Sequence, residues 1–147
     1  MLYLLDTNHC IYLLNGLGKP RDNRSQEEKN VLQAVRSVNR SDFLCMAEAT
    51  LGELYYGAAL SQRKSHNIEK IEILTEMITP LRFKKEVWQL FGETKADLRK
   101  KGKQISDFDL LIACTAKIHD CVIVTNDSDF DVLPNKFPLI NWAGKEI

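Results

Sequence analysis

The sequence lacks the features of a membrane-embedded or covalently cross-linked protein. No apolar run approaches the ~20 residues that a membrane-spanning helix needs, and residues 1–5 are too few for the apolar part of a secretion signal. Cysteine is scarce and scattered: the four residues form no Cys-x-x-Cys pair, and each lies in an apolar stretch where a thiol packs as a small hydrophobe. We therefore expect a cytoplasmic protein with reduced thiols, without a zinc site and without membrane attachment.

The chain also has no excess of either charge. Twenty basic residues balance twenty acidic ones, so the field of the whole molecule does not attract nucleic acid, and any attraction must come from local patches. Hydrophobic residues make up 44% of the sequence and charged residues 27%, which is typical of a globular protein. A length of 147 residues predicts one domain, residues 1–147, that is large enough to bury its own core.

Short apolar runs alternate with segments of helical periodicity. The runs predict buried strands at 2–5, 43–46, 121–124 and 139–140. A first helix is expected after a polar turn at 6–8, and further helices at about 25–38, 48–60, 68–78, 83–101 and 107–119. Pro80 is expected to end the 68–78 helix and Gly102 the 83–101 helix. This alternation predicts an α/β fold in which a central parallel β-sheet is flanked by α-helices on both faces.

Acidic residues stand close to the ends of the predicted strands. Asp6 follows the first strand, and Asp127 follows the 121–124 strand after Thr125 and Asn126. Glu53 falls in the first turns of the 48–60 helix, and Asp109 in the first turn of the 107–119 helix. Because ligands in open α/β sheets gather where strands deliver their carboxyl ends, these four carboxylates are predicted to share one pocket.

Such a group of carboxylates favours a metal site. Acids a few ångströms apart repel each other and are tolerated mainly when a divalent cation neutralises them. Oxygen ligands without a convergent His or Cys favour Mg²⁺ or Mn²⁺. Because a cation held in this way orients phosphates and lowers the pKa of a bound water, phosphodiester hydrolysis is the predicted reaction. The alternative for each acid alone is a helix cap, which satisfies backbone N–H groups and suits the helix dipole.

Four short motifs occur in order over nearly the whole chain. They are Leu-Leu-Asp-Thr-Asn at 4–8, Glu-Leu-Tyr-Tyr-Gly at 53–57, Phe-Asp-Leu-Leu-Ile-Ala at 108–113 and Val-Thr-Asn-Asp-Ser-Asp-Phe at 124–130. In this order and spacing they resemble the motifs of the PIN-domain nucleases, particularly the VapC-type toxins of toxin–antitoxin systems. The resemblance implies that the metal-binding and catalytic acids are Asp6, Glu53, Asp109 and Asp127.

The resemblance also implies a biological setting. It implies a Mg²⁺-dependent endoribonuclease that cuts RNA, frequently tRNA or ribosomal RNA. It further implies a homodimer and an antitoxin partner whose C-terminal segment lies over the active site. The chain departs from the family's pattern at Glu48, which stands where a Ser or Thr usually precedes the Glu53 helix.

Four further residues are second-tier candidates for the site. Asp107 ranks below Asp109 as the third acid, since Asp109 fits the family's motif better. Asn8 and Thr125 are expected to hold the acids through hydrogen bonds, although Asn8 is equally placed to cap the first helix. Asp129 is expected to cap or turn the loop before Phe130.

Basic and histidine residues leave alternatives open. Seven cations make the long helix and its exit basic, and they either guide a phosphate backbone or form a solvated helix face. They are Lys84, Lys85, Lys95, Arg99, Lys100, Lys101 and Lys103. The three histidines, His9, His66 and His119, lie far apart without a Ser or Cys partner, so we predict surface or packing roles for them and no catalytic triad.

Two other functions compete with the nuclease hypothesis. An aspartyl-phosphate phosphohydrolase would use Asp6 as its nucleophile, but the second acid expected two residues later is replaced by Asn8. A PIN domain without catalysis would act by binding RNA or protein alone. The presence of all four acids favours an enzyme over this second alternative.

Overall fold

A five-stranded parallel sheet forms the centre of the computed structural model, which describes residues 1–144. The strands are β1 (Leu2–Leu5), β2 (Phe43–Ala47), β3 (Thr79–Leu81), β4 (Cys121–Val124) and β5 (Leu139–Ile140). Their spatial order is β3-β2-β1-β4-β5, and every neighbouring pair is parallel. The predicted domain also includes residues 145–147, which lie outside the described residues.

Within residues 1–144, six α-helices cover the two faces of this sheet. They are α1 (Thr7–Leu17), α2 (Gln26–Ser37), α3 (Glu48–Leu60), α4 (Lys64–Met77), α5 (Lys85–Lys100) and α6 (Asp107–Ile118). None of these helices combines the length and the apolar character needed to cross a bilayer.

The two central leucines of β1 show how both faces are covered. Leu4 packs in the core that contains side chains of α5 and α6, whereas Leu5 packs in the core built with α1 to α4. Successive side chains of a strand point to opposite faces, so a strand covered on both sides needs an unbroken apolar run. Both leucines are fully buried. The predicted fold class, a parallel sheet with helices on both faces, is confirmed.

The strand order brings the carboxyl ends of β1 and β4 side by side. Leu5 pairs with Val124 in the register of these two strands. The next residue, Asp6, donates its backbone N–H to the Val124 carbonyl oxygen, 3.0 Å away. Asp6 and Thr125 are therefore neighbours, although 119 positions separate them in the sequence.

One local prediction is wrong, and one strand was not predicted. The segment 6–8 forms no turn, because α1 begins at Thr7 directly after β1, with Asp6 as its N-cap. The helix before Pro80 ends at Met77, and Pro80 itself lies in the middle of β3. β3 is an edge strand, where a proline is tolerated because its missing N–H leaves no neighbouring strand unpaired. Because a proline in a short run argues against a strand, the sequence pattern did not predict β3.

Gly102 follows the end of α5 in the left-handed conformation that the sequence predicts for a C′ glycine. Its φ is +69°, and the N–H of Lys103 donates to the Leu98 carbonyl oxygen at 2.9 Å, as in a Schellman motif. We expect Gly102→Ala to lower the free energy of unfolding by about 1–2 kcal/mol, because a Cβ is unfavourable at this φ. Urea unfolding followed by circular dichroism measures the change.

Gly92 supplies a matched control on the same helix. It is exposed in the interior of α5. Apart from its chain neighbours and the backbone of its own helix, no described residue comes within 4 Å of the place where a Cβ would stand. Gly92→Ala is expected to raise the free energy of unfolding by about 0.5–1 kcal/mol, since alanine is the better helix former. A loss of stability at both positions, or at neither, would contradict this account of the helix end.

Candidate active site

Asp6 lies at the junction of β1 and α1 and is almost enclosed, with 3% of its surface exposed. Its Oδ1 accepts the backbone N–H of His9 at 2.8 Å and lies 3.0 Å from His9 Nδ1. Its Oδ2 accepts the Thr125 hydroxyl at 2.6 Å. Asp6 therefore caps α1, and the same hydrogen bonds fix the direction of its carboxylate.

Glu53 is held by the Thr7 hydroxyl, which also contacts the Thr50 hydroxyl. The Thr7 hydroxyl donates to Glu53 Oε1 at 2.7 Å, and the hydroxyl oxygens of Thr7 and Thr50 lie 3.2 Å apart. Thr50 is fully buried in the first turn of α3. These contacts join the N-terminal ends of α1 and α3, so Glu53 is brought to the sheet edge at which Asp6 lies.

Asp109 and Asp127 reach the same edge from α6 and from the segment after β4. The backbone N–H of Asp109 donates to the Ser106 hydroxyl at 3.2 Å, which caps α6. The N–H of Asp127 donates to Thr125 Oγ1 at 3.1 Å, and Asp127 Oδ1 accepts the N–H of Asp129 at 2.9 Å. Carboxylate oxygens of Asp109, Asp127 and Asp129 lie within 4.8 Å of one another.

One hollow of about 540 Å³ is lined by all four predicted acids, Asp6, Glu53, Asp109 and Asp127. Burial is the largest cause of a raised pKa at Asp109, and a hydrogen bond with Ser106 opposes it. The negative charges of Asp127, Glu53 and Asp6 raise this pKa further. The hollow therefore concentrates negative charge around a partly desolvated carboxyl group.

The second-tier candidates occupy different places. Asn8 lines the hollow but does not cap α1, because Asp6 is the cap. Asp107 is exposed, and its Oδ1 accepts a hydrogen bond from Lys95 Nζ at 2.9 Å. Asp107 also lines the hollow, but it is paired with Lys95 and does not belong to the group of three aspartates.

Asp129 differs from its expected role. The residue that caps the 3₁₀ segment Ser128–Val132 is Asp127, while the Asp129 carboxylate belongs to the group of three aspartates. Glu48, the departure from the family's pattern, accepts the Phe83 backbone N–H at 2.8 Å. Glu48 thereby ties the start of α3 to the segment that precedes α5.

Four polar residues at this edge were not predicted as site residues: Thr7, His9, Thr50 and Ser106. His9, expected only as a surface or packing residue, is fully buried and also contacts the Asp6 carboxylate. The available signal was spacing, since His9 follows Asp6 by three positions and Asp109 follows Ser106 by three, the interval between an N-cap and the first helical turn. Thr50 had no such signal, because it meets Thr7 across 43 positions of sequence.

The donor set fits a hard divalent cation. The group of three aspartates offers carboxylate oxygens only, which are the ligands that Mg²⁺ and Mn²⁺ prefer. In the part of the chain that the structure describes, no lysine or arginine forms an ion pair with Glu53, Asp109, Asp127 or Asp129. A cation would therefore remove repulsion that is not offset by ion pairs among the described residues.

A family model decides the relationship that the motifs indicate. The model of the PIN domain matches residues 3–136. The chain belongs to the PIN domain family. The resemblance inferred from the four motifs is thus confirmed, and the acidic hollow is the acidic edge of a PIN domain. PIN nucleases use divalent metal ions, in agreement with the carboxylate donors found here.

Known PIN proteins are similar to this chain over most of its length. Ribonuclease VapC1 of Haemophilus influenzae (strain R2866) is 34% identical over 127 residues, which cover 86% of this chain and 87% of the relative. The tRNA(fMet)-specific endonuclease VapC of Shigella flexneri is 32% identical over 126 residues, 86% of each protein. The structure of VapBC-1 from nontypeable Haemophilus influenzae matches with a TM-score of 0.82 and 31% identity, covering 98% of this chain and 100% of the matched chain.

The raised pKa of Asp109 predicts a stability effect in the metal-free PIN domain. Because its folded pKa lies above the unfolded value, folding becomes less favourable as the pH rises through that interval, and the penalty persists at neutral pH. We expect Asp109→Asn to raise the melting temperature in EDTA at pH 7, and the difference to shrink as the pH falls toward the usual Asp pKa. Differential scanning calorimetry measures both. A lower melting temperature for the variant at pH 7 would contradict repulsion at this edge.

The contact between His9 and Asp6 predicts a second effect on stability. His9→Leu removes a donor to a buried carboxylate, and we expect the free energy of unfolding to fall by about 1.5–3 kcal/mol. His9→Asn is expected to lose less, because its amide nitrogen takes a position similar to that of Nδ1. Urea unfolding of the three proteins compares them. Equal losses in the two variants would show that the ring only fills space.

Proposed function

We propose that this protein is a Mg²⁺-dependent endoribonuclease and the toxin of a toxin–antitoxin pair. The observation that supports the proposal most is the convergence of Asp6, Glu53, Asp109 and Asp127 on one hollow in a PIN domain. The names of relatives at 32% and 34% identity, an endonuclease and a ribonuclease, agree with it.

The acids differ in how they would serve a bound cation. Asp109 and Asp127 would hold it, since both line the hollow and their oxygens belong to the group of three aspartates. Asp6 and Glu53 would complete the negative hollow, because both are already aimed by hydrogen bonds from Thr125 and Thr7. When bound, the metal ion polarises the scissile phosphate and lowers the pKa of a water molecule. The protein's own contribution is to keep these oxygens in place against their repulsion.

The substrate and partners follow from the family. RNA is the proposed substrate, and the tRNA(fMet) specificity of the Shigella relative favours tRNA over ribosomal RNA. We propose that an antitoxin binds the chain, as the VapBC-1 structure of a 31% identical relative supports. We further propose a homodimer of one-domain chains, residues 1–147, that acts in the cytoplasm, where RNA is found and four free cysteines stay reduced.

The aspartyl-phosphate alternative fits the site less well. A nucleophilic aspartate needs a free carboxylate oxygen that can approach the phosphorus of the substrate in line. Asp6 is 3% exposed, and each of its oxygens already accepts a hydrogen bond. Such an enzyme would also need a second acid two residues after Asp6, and this chain has Asn8 at that position.

Substitution of the acids tests the proposal. We expect Asp109→Asn and Asp127→Asn each to lower kcat for RNA cleavage by about 100-fold or more, because loss of one charge-stabilising group at such a site costs on the order of 10²–10³ in kcat. Cleavage of a labelled tRNA in Mg²⁺, followed on a denaturing gel, measures the effect. EDTA should abolish cleavage, and added Mg²⁺ or Mn²⁺ should restore it.

Asp131→Asn is the matched control. Asp131 is an exposed aspartate in the same 3₁₀ segment as Asp129 and lies outside the group of three aspartates. Its variant should cleave at the wild-type rate. Undiminished cleavage by folded Asp109→Asn, or cleavage that persists in EDTA, would refute a metal-dependent nuclease at this hollow.

A further inference from the structure

A second hollow adjoins the acidic one. It has a volume of about 610 Å³ and lies between the last turns of α5, the turn at Gly102 and the start of α6. Ser106 and Asp107 line both hollows, so the two share a wall. We name it the basic hollow after the three exposed cations that line it, Lys95, Arg99 and Lys103.

Helix stability alone does not explain the grouping of these cations. Lys95 and Arg99 are four positions apart, which places them on one face of α5, where like charges repel. The helix dipole favours cations in the last turn, but Lys95 precedes the last turn of a helix that ends at Lys100. Lys84, Lys85, Lys100 and Lys101 belong to the same basic stretch of sequence, yet they do not line the basic hollow.

Asp107 stands where the two hollows meet. Its Oδ1 lies 2.9 Å from Lys95 Nζ, and the two side chains are 61% and 56% exposed. An ion pair as exposed as this one contributes little to stability and separates easily. Among the described residues that line the basic hollow, Asp107 is the only acid, so three cations against one acid leave an excess of two positive charges.

We propose that the basic hollow holds the RNA backbone next to the phosphodiester that is cut, with Lys95, Arg99 and Lys103 bound to its phosphates. The inference rests on the proposed RNA cleavage and adds the path of the strand. We favour an RNA backbone over an acidic peptide because the two hollows adjoin. A strand bound in the basic hollow would place its next phosphate at the acids, where the cut phosphodiester must lie. Asp107 competes with the RNA for Lys95 and thereby weakens binding until the strand displaces it.

Charge-removing substitutions test this path. Lys95→Gln, Arg99→Gln and Lys103→Gln are each expected to raise KM for a labelled single-stranded RNA about three- to tenfold, with kcat unchanged at saturating RNA. Each lost phosphate contact should also reduce the slope of log KM against log salt by about 0.7. Asp107→Asn is expected to change KM in the opposite direction and lower it about two- to threefold, because it frees Lys95.

Lys85→Gln is the matched control. Lys85 is an exposed lysine on the same helix, ten positions before Lys95 and outside the basic hollow. Ten residues of helix span about 15 Å, which exceeds the Debye length of about 10 Å at 0.1 M salt. The control should therefore keep the wild-type KM. An equal rise of KM in all four lysine and arginine variants, or a fall of kcat in place of a rise of KM, would overturn the proposal.

RNA binding separates this inference from the nuclease proposal. Fluorescence anisotropy in the Asp109→Asn background measures RNA affinity without cleavage. If the wild-type protein does not cut RNA, a weaker affinity with Lys95→Gln but not with Lys85→Gln still supports the basic hollow as an RNA site. If cleavage is normal and neither substitution changes the affinity, the basic hollow is not the path. Binding of a polyglutamate peptide, but not of RNA, in a manner sensitive to Lys95→Gln would also overturn it.

Discussion

Repulsion between carboxylates is the interaction on which this edge of the molecule depends. Four acids from separate segments line one hollow, and the raised pKa of Asp109 reflects its burial and the charges of its neighbours. Flexible loops would let such groups move apart into water. Here β1 and β4 are interior strands of the sheet, and Asp6 and Asp127 follow their carboxyl ends, so their backbone positions are fixed. The charges therefore stay together, and a bound cation can neutralise them.

The hydrogen bonds that begin the helices also direct the acids. Asp6 caps α1, Asp127 caps the 3₁₀ segment Ser128–Val132, and Ser106 caps α6 beside Asp109. The sequence left open whether each acid is a helix cap or a metal ligand. The structure shows caps at Asp6 and Asp127, whereas Asp109 and Glu53 are not caps. The positive ends of the helix dipoles lie at the N-termini and offset part of the repulsion between the acids.

The range of each interaction determined how much the sequence could predict. Apolar runs and helical periodicity are local, so β1, β4 and α5 were predicted from the residues that form them. Pro80 concealed β3, since a three-residue edge strand offers too short a pattern to outweigh a proline. The contact of His9 with Asp6 depends on α1 following β1 directly, without a turn. The polar residues at 6–8 had instead indicated a turn. The bond from Thr7 to Glu53 spans 46 positions and follows only from the fold.

The position of a bound metal ion tests the central claim most directly. Crystals soaked with Mn²⁺ give an anomalous difference map that locates the ion independently of activity. A cation shared by these acids predicts a peak in the acidic hollow, about 2 Å from oxygens of Asp109 and Asp127. An empty hollow at Mn²⁺ concentrations that support RNA cleavage, or an ion bound elsewhere on the chain, would contradict it.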